Sequence, residues 1–545
     1  MQLWKSLTNG SSHGVLHVWA GEDFEHTPWR AVVADAHGLA ASLRAAGVRP
    51  GTRVATILTN TPATVRGLLA IWLAGGAVAS LPLPTRGQSD AEYGQQVAVL
   101  CERLDPTLLL ADEAISALLP DRLTSDLPVL PWTLSGLAAP AGPFEPSPPG
   151  PNDLAFVQYS SGSTSTPKGC ALTTRAIEAQ MEIILSLTGG RPGNDTVTSW
   201  LPLSHDMGMF GCLLYAWAYD FHFVLSTPER FGMAPRTWFR DMSEYESTMT
   251  AGTSTAVYLA TRAQGRAELP RGLASLRAAV IGAERLDWET MRAATERFGA
   301  YGMARTALQP AYGMAEATLA VSGKPWDQEL RGTVLDGSAL VDGVVAEVAE
   351  DHPRATRLVS NGPALPGVTL DTGAPGTVGE IVVRSPSLAE GYLGDPERTA
   401  ARFPEGRLRT GDLGFTHEGE IYVVGRLDDM LSVGGRKVYA SEMESAIDNH
   451  PQIRKGCVAL VDVGTSGLPS LVLMIEPQGR PKDYQPIADH AAAAALEKSG
   501  VALTECLFLP RGALPRTPSG KIQRFRCRSL LTEGRLEPLA RVVYA

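Results

Sequence analysis

The run Tyr159-Ser160-Ser161-Gly162-Ser163-Thr164-Ser165-Thr166-Pro167-Lys168-Gly169 gathers six Ser/Thr hydroxyls, two glycines, a proline and a lysine behind an apolar stretch, Leu154 to Val157. Glycines let backbone amides approach phosphate oxygens, hydroxyls donate hydrogen bonds, and a lysine supplies a point charge for a leaving polyphosphate. The run is not a Walker A loop, because Lys168 precedes Gly169 and the G-x-x-x-x-G-K-[ST] spacing is absent. Alone, the same composition also suits a solvated loop. Further along, Tyr312-Gly313-Met314-Ala315-Glu316-Ala317-Thr318-Leu319 sets a tyrosine able to stack on adenine near a glutamate able to hold Mg²⁺ against phosphates. Asp412, in Arg409-Thr410-Gly411-Asp412-Leu413-Gly414, is a carboxylate of the kind that binds two ribose hydroxyls, although an isolated Asp in a turn is commonly structural. His205 at a helix start and Lys521 on the loop Pro515-Arg516-Thr517-Pro518-Ser519-Gly520-Lys521-Ile522 would by themselves be a satisfied histidine and a solvent-facing lysine.

Such residues need a scaffold, and the chain is long enough to supply one. At 545 residues it exceeds a single ordinary core, so two or more domains are expected. Its 44% hydrophobic and 19% charged content fits a globular enzyme, and its net charge of −10 argues against nucleic acid or an anionic membrane as a partner. Cys101, Cys170, Cys212, Cys457, Cys506 and Cys527 form no C-x-x-C pair, which argues against a zinc site or disulfide framework and suits a reducing cytoplasm. Any metal is therefore expected to be Mg²⁺ on carboxylate and phosphate oxygens. Met1 to Gly10 lacks a basic region followed by an apolar core, so no secretory signal is expected. The most apolar segment, Gly67 to Pro84, is broken by Gly75-Gly76 and too short to span a bilayer.

Helical periodicity over Trp29 to Ala46 followed by a strand at Arg53 to Leu58 begins an alternation. It continues through Ala63–Ala74 and Val78–Leu83, then Gln95–Leu104 and Leu108–Ala111, the pattern of an open α/β sheet with helices on its faces. A Pro/Ala/Gly-rich connection, Ala138 to Pro151, leads to the hydroxyl-rich run and a helix from about Thr174. Val280 to Glu284 reads as a strand ending in a turn, Gly332 to Ala349 as hairpin or loop, and Gly379 to Arg384 as a strand. A helix from about Ser441, strands near Gly456–Val461 and Ser470–Ile475, and a helix through Ala488–Lys498 make an α+β lobe. Glu442 and Glu444 in that first helical turn read as structural, favourable to the helix dipole.

The hydroxyl-rich run, Ser204-His205-Asp206-Met207-Gly208, Gly282-Ala283-Glu284, Tyr312 to Glu316, Asp412, Gly425-Arg426-Leu427-Asp428-Asp429 and the Lys521 loop occur in the order of the adenylate-forming superfamily, which the chain resembles over nearly its whole length. That superfamily comprises acyl-CoA synthetases, luciferases and peptide-synthetase adenylation domains. The resemblance implies ATP binding by Ser160, Ser161, Gly162, Ser163, Thr164, Thr166 and Lys168, with Gly282, Ala283, Glu284, Tyr312, Gly313 and Met314 around adenine. It implies Asp412 and Arg426 on ribose or phosphate and Glu316 on Mg²⁺. His205 would stand beside the acyl carboxylate, Lys521 would clamp carboxylate and adenylate oxygens, and Asp428 would be a hinge. Thr253 and Ser254, with Met233, fall where the family lines its acyl pocket, although a helix start capped by Ser or Thr and plain core packing for Met233 remain open. No acidic residue stands between Thr253 and Tyr258 to pair a substrate ammonium, which disfavours an α-amino acid.

Within the superfamily the chain is most similar to the fatty acyl-AMP ligases. His-Asp-Met-Gly, Pro235-Arg236-Thr237-Trp238-Phe239, Ala315 where most members have Thr, and about fifty residues between Glu316 and Leu365-Pro366-Gly367 carry that likeness. Gly434-Gly435 instead resembles CoA ligases and carrier-dependent adenylation domains. The fold implied is α/β: a large N-terminal domain of mixed sheets and helices over 1–425, a hinge at 426–428, and a small mobile α+β domain over 429–545 carrying Lys521. The function implied is ATP-dependent conversion of a fatty or related carboxylic acid to acyl-AMP with release of pyrophosphate. Transfer to the phosphopantetheine thiol of a free-standing acyl carrier protein would follow, in polyketide, lipopeptide or related assembly. Alternatives are an acyl-CoA synthetase using CoA, and a silent nucleotide- or acyl-binding protein, which retention of Lys521, Glu316 and Asp412 disfavours.

Overall fold

The computed structural model describes residues 2–10, 12–85, 88–133, 144–160, 167–265, 268–433, 436–464, 470–499, 502–516 and 522–544. Two sheets form the larger part. The first has six strands in the order Val129–Leu130, Leu108–Leu110, Arg53–Thr56, Ala77–Ser80, Leu154–Ser160 and Lys168–Thr173, parallel except for the last pair. The second has eight strands; its central five (Leu308–Gly313, Ala278–Ile281, Met249–Gly252, Thr196–Ser199, His222–Leu225) and Val15–Trp19 run parallel, with antiparallel strands Ala320–Gly323 and Phe24–Pro28 at the two edges. Parallel strands need helical crossovers, and those crossovers bury both faces of each sheet.

Burial explains where the helices fall. Helix Trp29–Ala45 buries Val32, Ala36, Ala40 and Leu43, a helical repeat, and Pro62–Leu73 is buried almost all round, so its sequence is apolar on every face. Thr61 caps that second helix by accepting from Thr64 N–H, with Pro62 at the first helical position. Helix Thr174–Thr188 lies between the sheets: Ile177, Met181 and Ile184 share one core with Val54, Val78 and Phe156 of the first sheet and Val197, Phe223 and Met249 of the second. Its stop is Gly189 in the left-handed conformation, a C-terminal arrangement glycine adopts without steric cost.

A four-stranded antiparallel sheet (Thr369–Asp371, Gly379–Arg384, Leu408–His417, Glu420–Arg426) follows, and the turn Leu427–Asp429 leads into the hairpin Met430–Val433/Arg436–Tyr439. The C-terminal lobe is α+β, with strands Ile453–Asp462, Leu471–Pro477, Glu505–Phe508 and Ala540–Val543 in that order across its sheet. Helices Ala440–Ile447 and Gln485–Ser499 bury Met443, Ile447, Ala488 and Ala491 against Leu460 and Leu473, a core separate from those of the larger part.

Three local readings change. Lys168 is not the end of a free loop but opens the strand Lys168–Thr173, paired in register with Ser160; cross-strand pairing, invisible in so weak a strand sequence, decides it. Asp412 sits inside the strand Leu408–His417, not in a turn, because Gly411 at φ +71° takes up the register shift against Gly379–Arg384 without ending the strand. The segment Gly332 to Ala349, expected as hairpin or loop, does supply strand Gly332–Asp336 of an antiparallel pair with Ala355–Val359, but adds the short helix Gly337–Val341, started by Asp336, whose carboxylate accepts from Ser338 and Ala339 N–H.

Candidate active site

The turns that follow the parallel strands of the eight-stranded sheet converge on a cavity of about 570 Å³, closed on the other side by the C-terminal lobe. Such turns are where open α/β sheets place ligands. Gly282-Ala283-Glu284 follows strand Ala278–Ile281, with Ala283 at φ +65°. A Cβ on Gly282 would meet the Ala311 carbonyl at 2.9 Å, so the turn can lie flat on the next strand only as glycine. Glu284 accepts a hydrogen bond from Thr255 N–H (2.9 Å), a carboxylate at the N-terminus of helix Ser254–Gln264 where the dipole favours it.

Tyr312 and Gly313 end strand Leu308–Gly313, and Glu316 rides on the tight turn Ala315–Ala317. Gly313 is sterically required: a Cβ there would lie 1.9 Å from the Leu319 carbonyl. The Tyr312 hydroxyl donates to Asp412 Oδ2 (2.7 Å), and Arg426 Nε stands 3.4 Å from Asp412 Oδ1. Burial first, then the Asp412 charge, pushes the Tyr312 phenol far above its ordinary range, so it remains a donor. Met314 completes this rim.

Glu316 faces a second group. Its Oε1 accepts from the Tyr392 hydroxyl (2.8 Å), and the Lys168 ammonium lies 5.7 Å from the centre of the Tyr392 ring. Burial depresses the Lys168 pKa; the charge of Glu316 opposes this, while Arg398, Arg402 and Arg426 add to it. A lysine beside three arginines makes this side of the site locally positive, which suits anionic oxygen. His205 Nδ1 lies 2.7 Å from Asp206 Oδ1, and the Met207 N–H reaches both atoms, Oδ1 at 2.7 Å and Nδ1 at 3.3 Å, which fixes the ring at the start of the helix.

Of the other expected site residues, Ser254 lines the cavity and accepts from Asp287 N–H (3.3 Å). Thr253 is the buried cap of helix Ser254–Gln264, accepting from Ala256 N–H (3.1 Å), and does not line the cavity. Met233 is corrected outright: it is 82% exposed at the end of the helix Pro228–Met233, because the chain there turns out over the surface toward Thr237–Glu244. Ser161, Gly162, Ser163, Thr164, Thr166 and Lys521 lie outside the described residues, as do the side chains of Ser160 and Asp428. On either side of Lys521, Arg516 and Ile522 bridge as antiparallel partners, and both line the cavity.

Several residues were not foreseen. Tyr392 is 76 positions from Glu316, and nothing local marks it. Arg524 lines the cavity and bridges Asp429 (2.9 Å) and Glu444 (2.8 Å); Glu444 thus has a partner beyond the helix dipole. The Lys455 ammonium lies 3.8 Å from Asp287 of the larger part and 3.9 Å from Asp448 of its own lobe, an ion contact across the cleft. The carboxylate of Glu316 fits a Mg²⁺ ion, which takes one or two protein carboxylates and completes its shell with phosphate oxygens and water.

The AMP-binding enzyme family model matches residues 12–393. The long-chain fatty acid–AMP ligase FadD32 of Mycolicibacterium smegmatis is 32% identical over 72% of this chain and 70% of its own length. The medium-chain fatty acid–[acyl-carrier-protein] ligase JamA of Moorena producens is 33% identical over 70% and 69%. A solved structure from studies of fatty acyl-adenylate ligases of E. coli and L. pneumophila superposes with a TM-score of 0.89 at 25% identity, covering 98% of each chain. The L. pneumophila fatty acyl-adenylate ligase in complex with acyl adenylate and pyrophosphate does so with a TM-score of 0.74 at 25% identity, covering 99% of this chain and 98% of that one. The chain therefore belongs to the AMP-binding enzymes, the adenylate-forming superfamily, and within it is most like the fatty acyl-AMP ligases.

Proposed function

We propose that this enzyme activates a fatty or related carboxylic acid with ATP and then passes the acyl group to the thiol of a separate, phosphopantetheine-bearing carrier protein. In the first step a carboxylate oxygen forms a bond to the α-phosphorus of ATP while the bond to the bridging oxygen breaks, giving acyl-AMP and pyrophosphate. In the second, thiol sulfur attacks the acyl carbon and AMP leaves. The observation that carries this reading is one cavity lined by Tyr312, Asp412 and Arg426, by Glu316 (held by Tyr392) and Lys168, and by a run of apolar side chains that includes Ile184, Leu187, Val197 and Met249. Phosphoryl-type transfer depends on positioning and charge stabilisation, and such a lining provides both without a strong base.

Tyr312 and Asp412 would fix adenine and ribose, with Arg426 neutralising the adjacent charge and Gly282, Ala283, Glu284, Gly313 and Met314 forming the floor under the base. Lys168, with Ser160, Ser161, Gly162, Ser163, Thr164 and Thr166, would hold the β- and γ-phosphates. Glu316, oriented by the Tyr392 hydroxyl, is the residue that would hold Mg²⁺, whose charge would offset that of the phosphates. His205, oriented by Asp206, would stand by the incoming carboxylate, and Lys521 would neutralise charge developing on its oxygen. Residues 426–428 would be the hinge between a domain over 1–425 and a lid over 429–545.

A carrier thiol is favoured over CoA by the inserted segment. Helix Gly337–Val341 lies against helix Gln485–Ser499 and strand Arg436–Tyr439 of the C-terminal lobe, a contact that would restrain the lobe's swing. The name of the relative JamA, an acyl-carrier-protein ligase, supports the same choice. Among the described residues no helix is long and apolar enough to cross a membrane and all six cysteines are buried free thiols; we place the enzyme in the cytoplasm. The test is incubation with ATP and a panel of acids, followed by CoA or a holo carrier protein, with products weighed. Acyl-AMP that persists with CoA and is consumed by the carrier is expected; acyl-CoA formation would select the synthetase reading. Asp428→Pro should spare pyrophosphate exchange and slow transfer, and equal loss of both would remove the hinge.

A further inference from the structure

Away from the polar rim the cavity is lined by Ile184, Leu187, Val197, Met249, Ala251 and Leu319 with the hydroxyl residues Thr188 and Thr250, an acyl channel on the reading above, and Tyr215 lies beside Met249. The direction of the channel follows from the strands. Ser254 stands just past the end of Met249–Gly252, whereas Met249 begins that strand and Val197, its in-register partner, stands near the start of the neighbouring one. The extended chain from Met249 to Ser254 makes the channel roughly 16 Å deep.

Tyr215 is placed there by an irregularity. It follows the π-helix Met209–Leu214, whose wider turn offsets the helical register and re-aims the residue that follows. The Thr188 hydroxyl donates to the Ile184 carbonyl (2.9 Å), which leaves Tyr215 as the donor in the 2.7 Å bond between the two hydroxyls. The Met249 sulfur lies 3.9 Å from the Tyr215 oxygen, and the ring meets Phe221 edge-on at 5.3 Å. Room for the hydroxyl exists because residue 190 is glycine: a Cβ there would be 2.2 Å from it. Behind Thr188, Arg277 Nε donates to its carbonyl (3.3 Å) while pairing with Asp195 (2.8 Å). The inner end is therefore a fixed wall. Both hydroxyl protons are committed, so no donor awaits a carboxylate or carbonyl at the far end of a substrate, and burying such a group there unpaired is unfavourable.

We propose that Tyr215, pinned by Thr188, closes the acyl channel and so sets the longest unbranched, methyl-ended chain that the enzyme activates. This rests on the acyl-activating reading above and adds to it a residue that determines chain length. The experiment measures kcat/KM for pyrophosphate release with saturated unbranched acids from hexanoic to octadecanoic, and with the matching dicarboxylic acids. Wild type should show a sharp upper length limit and reject the diacids. Tyr215→Ala should move the limit to longer acids, raising their kcat/KM by about fourfold for each additional methylene accommodated, with the change in KM. Tyr215→Phe, which keeps the ring, should retain the wild-type limit. Tyr215→Leu, shorter but still branched and apolar, should lengthen the limit less and carries the test if the alanine protein does not fold. A wild-type profile without a limit, or a folded alanine or leucine variant with the wild-type profile, would overturn the proposal while leaving acyl activation standing. Failure of every acid with the wild-type enzyme would remove acyl activation itself.

Discussion

Replacing Asp412 with asparagine keeps its shape and removes its charge, which makes the proposed ribose contact measurable. In the structure Oδ2 accepts the Tyr312 hydroxyl at 2.7 Å and Oδ1 faces Arg426 Nε as an ion pair at 3.4 Å, so both oxygens face donor groups. An amide offers one acceptor oxygen and one donor nitrogen. In either orientation Asp412→Asn turns NH₂ toward a donor, the guanidinium on one side or the phenol on the other. The phenol cannot relieve this by ionising, because burial holds its pKa far too high. The ribose hydroxyls then lose at least one charge-assisted acceptor, which contributes about 1.5–3 kcal/mol. That corresponds to a fall in kcat/KM for ATP of about 10- to 150-fold. Since ribose is held alike before and during reaction, the loss should appear in the KM for ATP and not in kcat. The assay is acid-dependent ATP–pyrophosphate exchange over a range of ATP, repeated with 2′-deoxy- and 3′-deoxy-ATP. Wild type should discriminate against the deoxynucleotides and Asp412→Asn should not. A folded Asp412→Asn protein with an unchanged KM for ATP and unchanged discrimination would refute the ribose assignment.

Lys521→Ala should lower adenylation about 10²–10³-fold, as expected for loss of one preorganised cation; near-normal pyrophosphate exchange would exclude the role. Gly313→Ala places a methyl 1.9 Å from a backbone carbonyl that cannot rotate away and should cost about 3 kcal/mol, read as a lowered Tm. Gly38→Ala, with open space around it inside helix Trp29–Ala45, should raise Tm slightly or leave it unchanged, and a comparable loss at both sites would contradict the steric account. Burial raises the carboxyl pKa of Asp448 from 3.8 to about 6, against the pull of the Gly456 N–H and Lys455. The folded protein thus binds a proton that the unfolded chain has released, so this contribution is full below about pH 4 and is lost as pH rises through about 6. Asp448→Asn should flatten the dependence of Tm on pH across that window, and an unchanged slope would show that the carboxyl does not titrate there.

The parts of the fold that were legible in the sequence are those fixed locally. The helix expected over Trp29 to Ala46 forms over Trp29–Ala45, and the strand expected at Gly379 to Arg384 forms over those residues, because period and apolar content are properties of the segment itself. Lys168 reads as loop because it closes a Ser/Thr/Gly/Pro-rich run, and Lys-Gly-Cys-Ala-Leu-Thr has little strand character of its own; its partner Leu154–Ser160 supplies the pairing. The site was legible where chemistry and spacing coincide, as in Tyr312 to Glu316, and not where it arises by convergence. Tyr392 reaches Glu316 from a distant turn, and Arg524 joins Glu444 to Asp429 across the C-terminal lobe. Met233 shows the opposite failure: its residue type suits a pocket, but it ends its helix on the exposed side while Phe231 takes the buried one. Tyr215 was hidden for a further reason, since a π-helix changes the face a residue occupies and leaves no mark in the apolar pattern around it.

The central claim is that a carboxylic acid is joined to the α-phosphate of ATP in this cavity. Mixing enzyme, ATP and a medium-chain saturated acid without any thiol, then quenching and weighing the products, tests it directly. Acid-dependent acyl-AMP and pyrophosphate in equal amounts are expected. Release of ADP and phosphate instead, or no pyrophosphate above background with any acid, would contradict it.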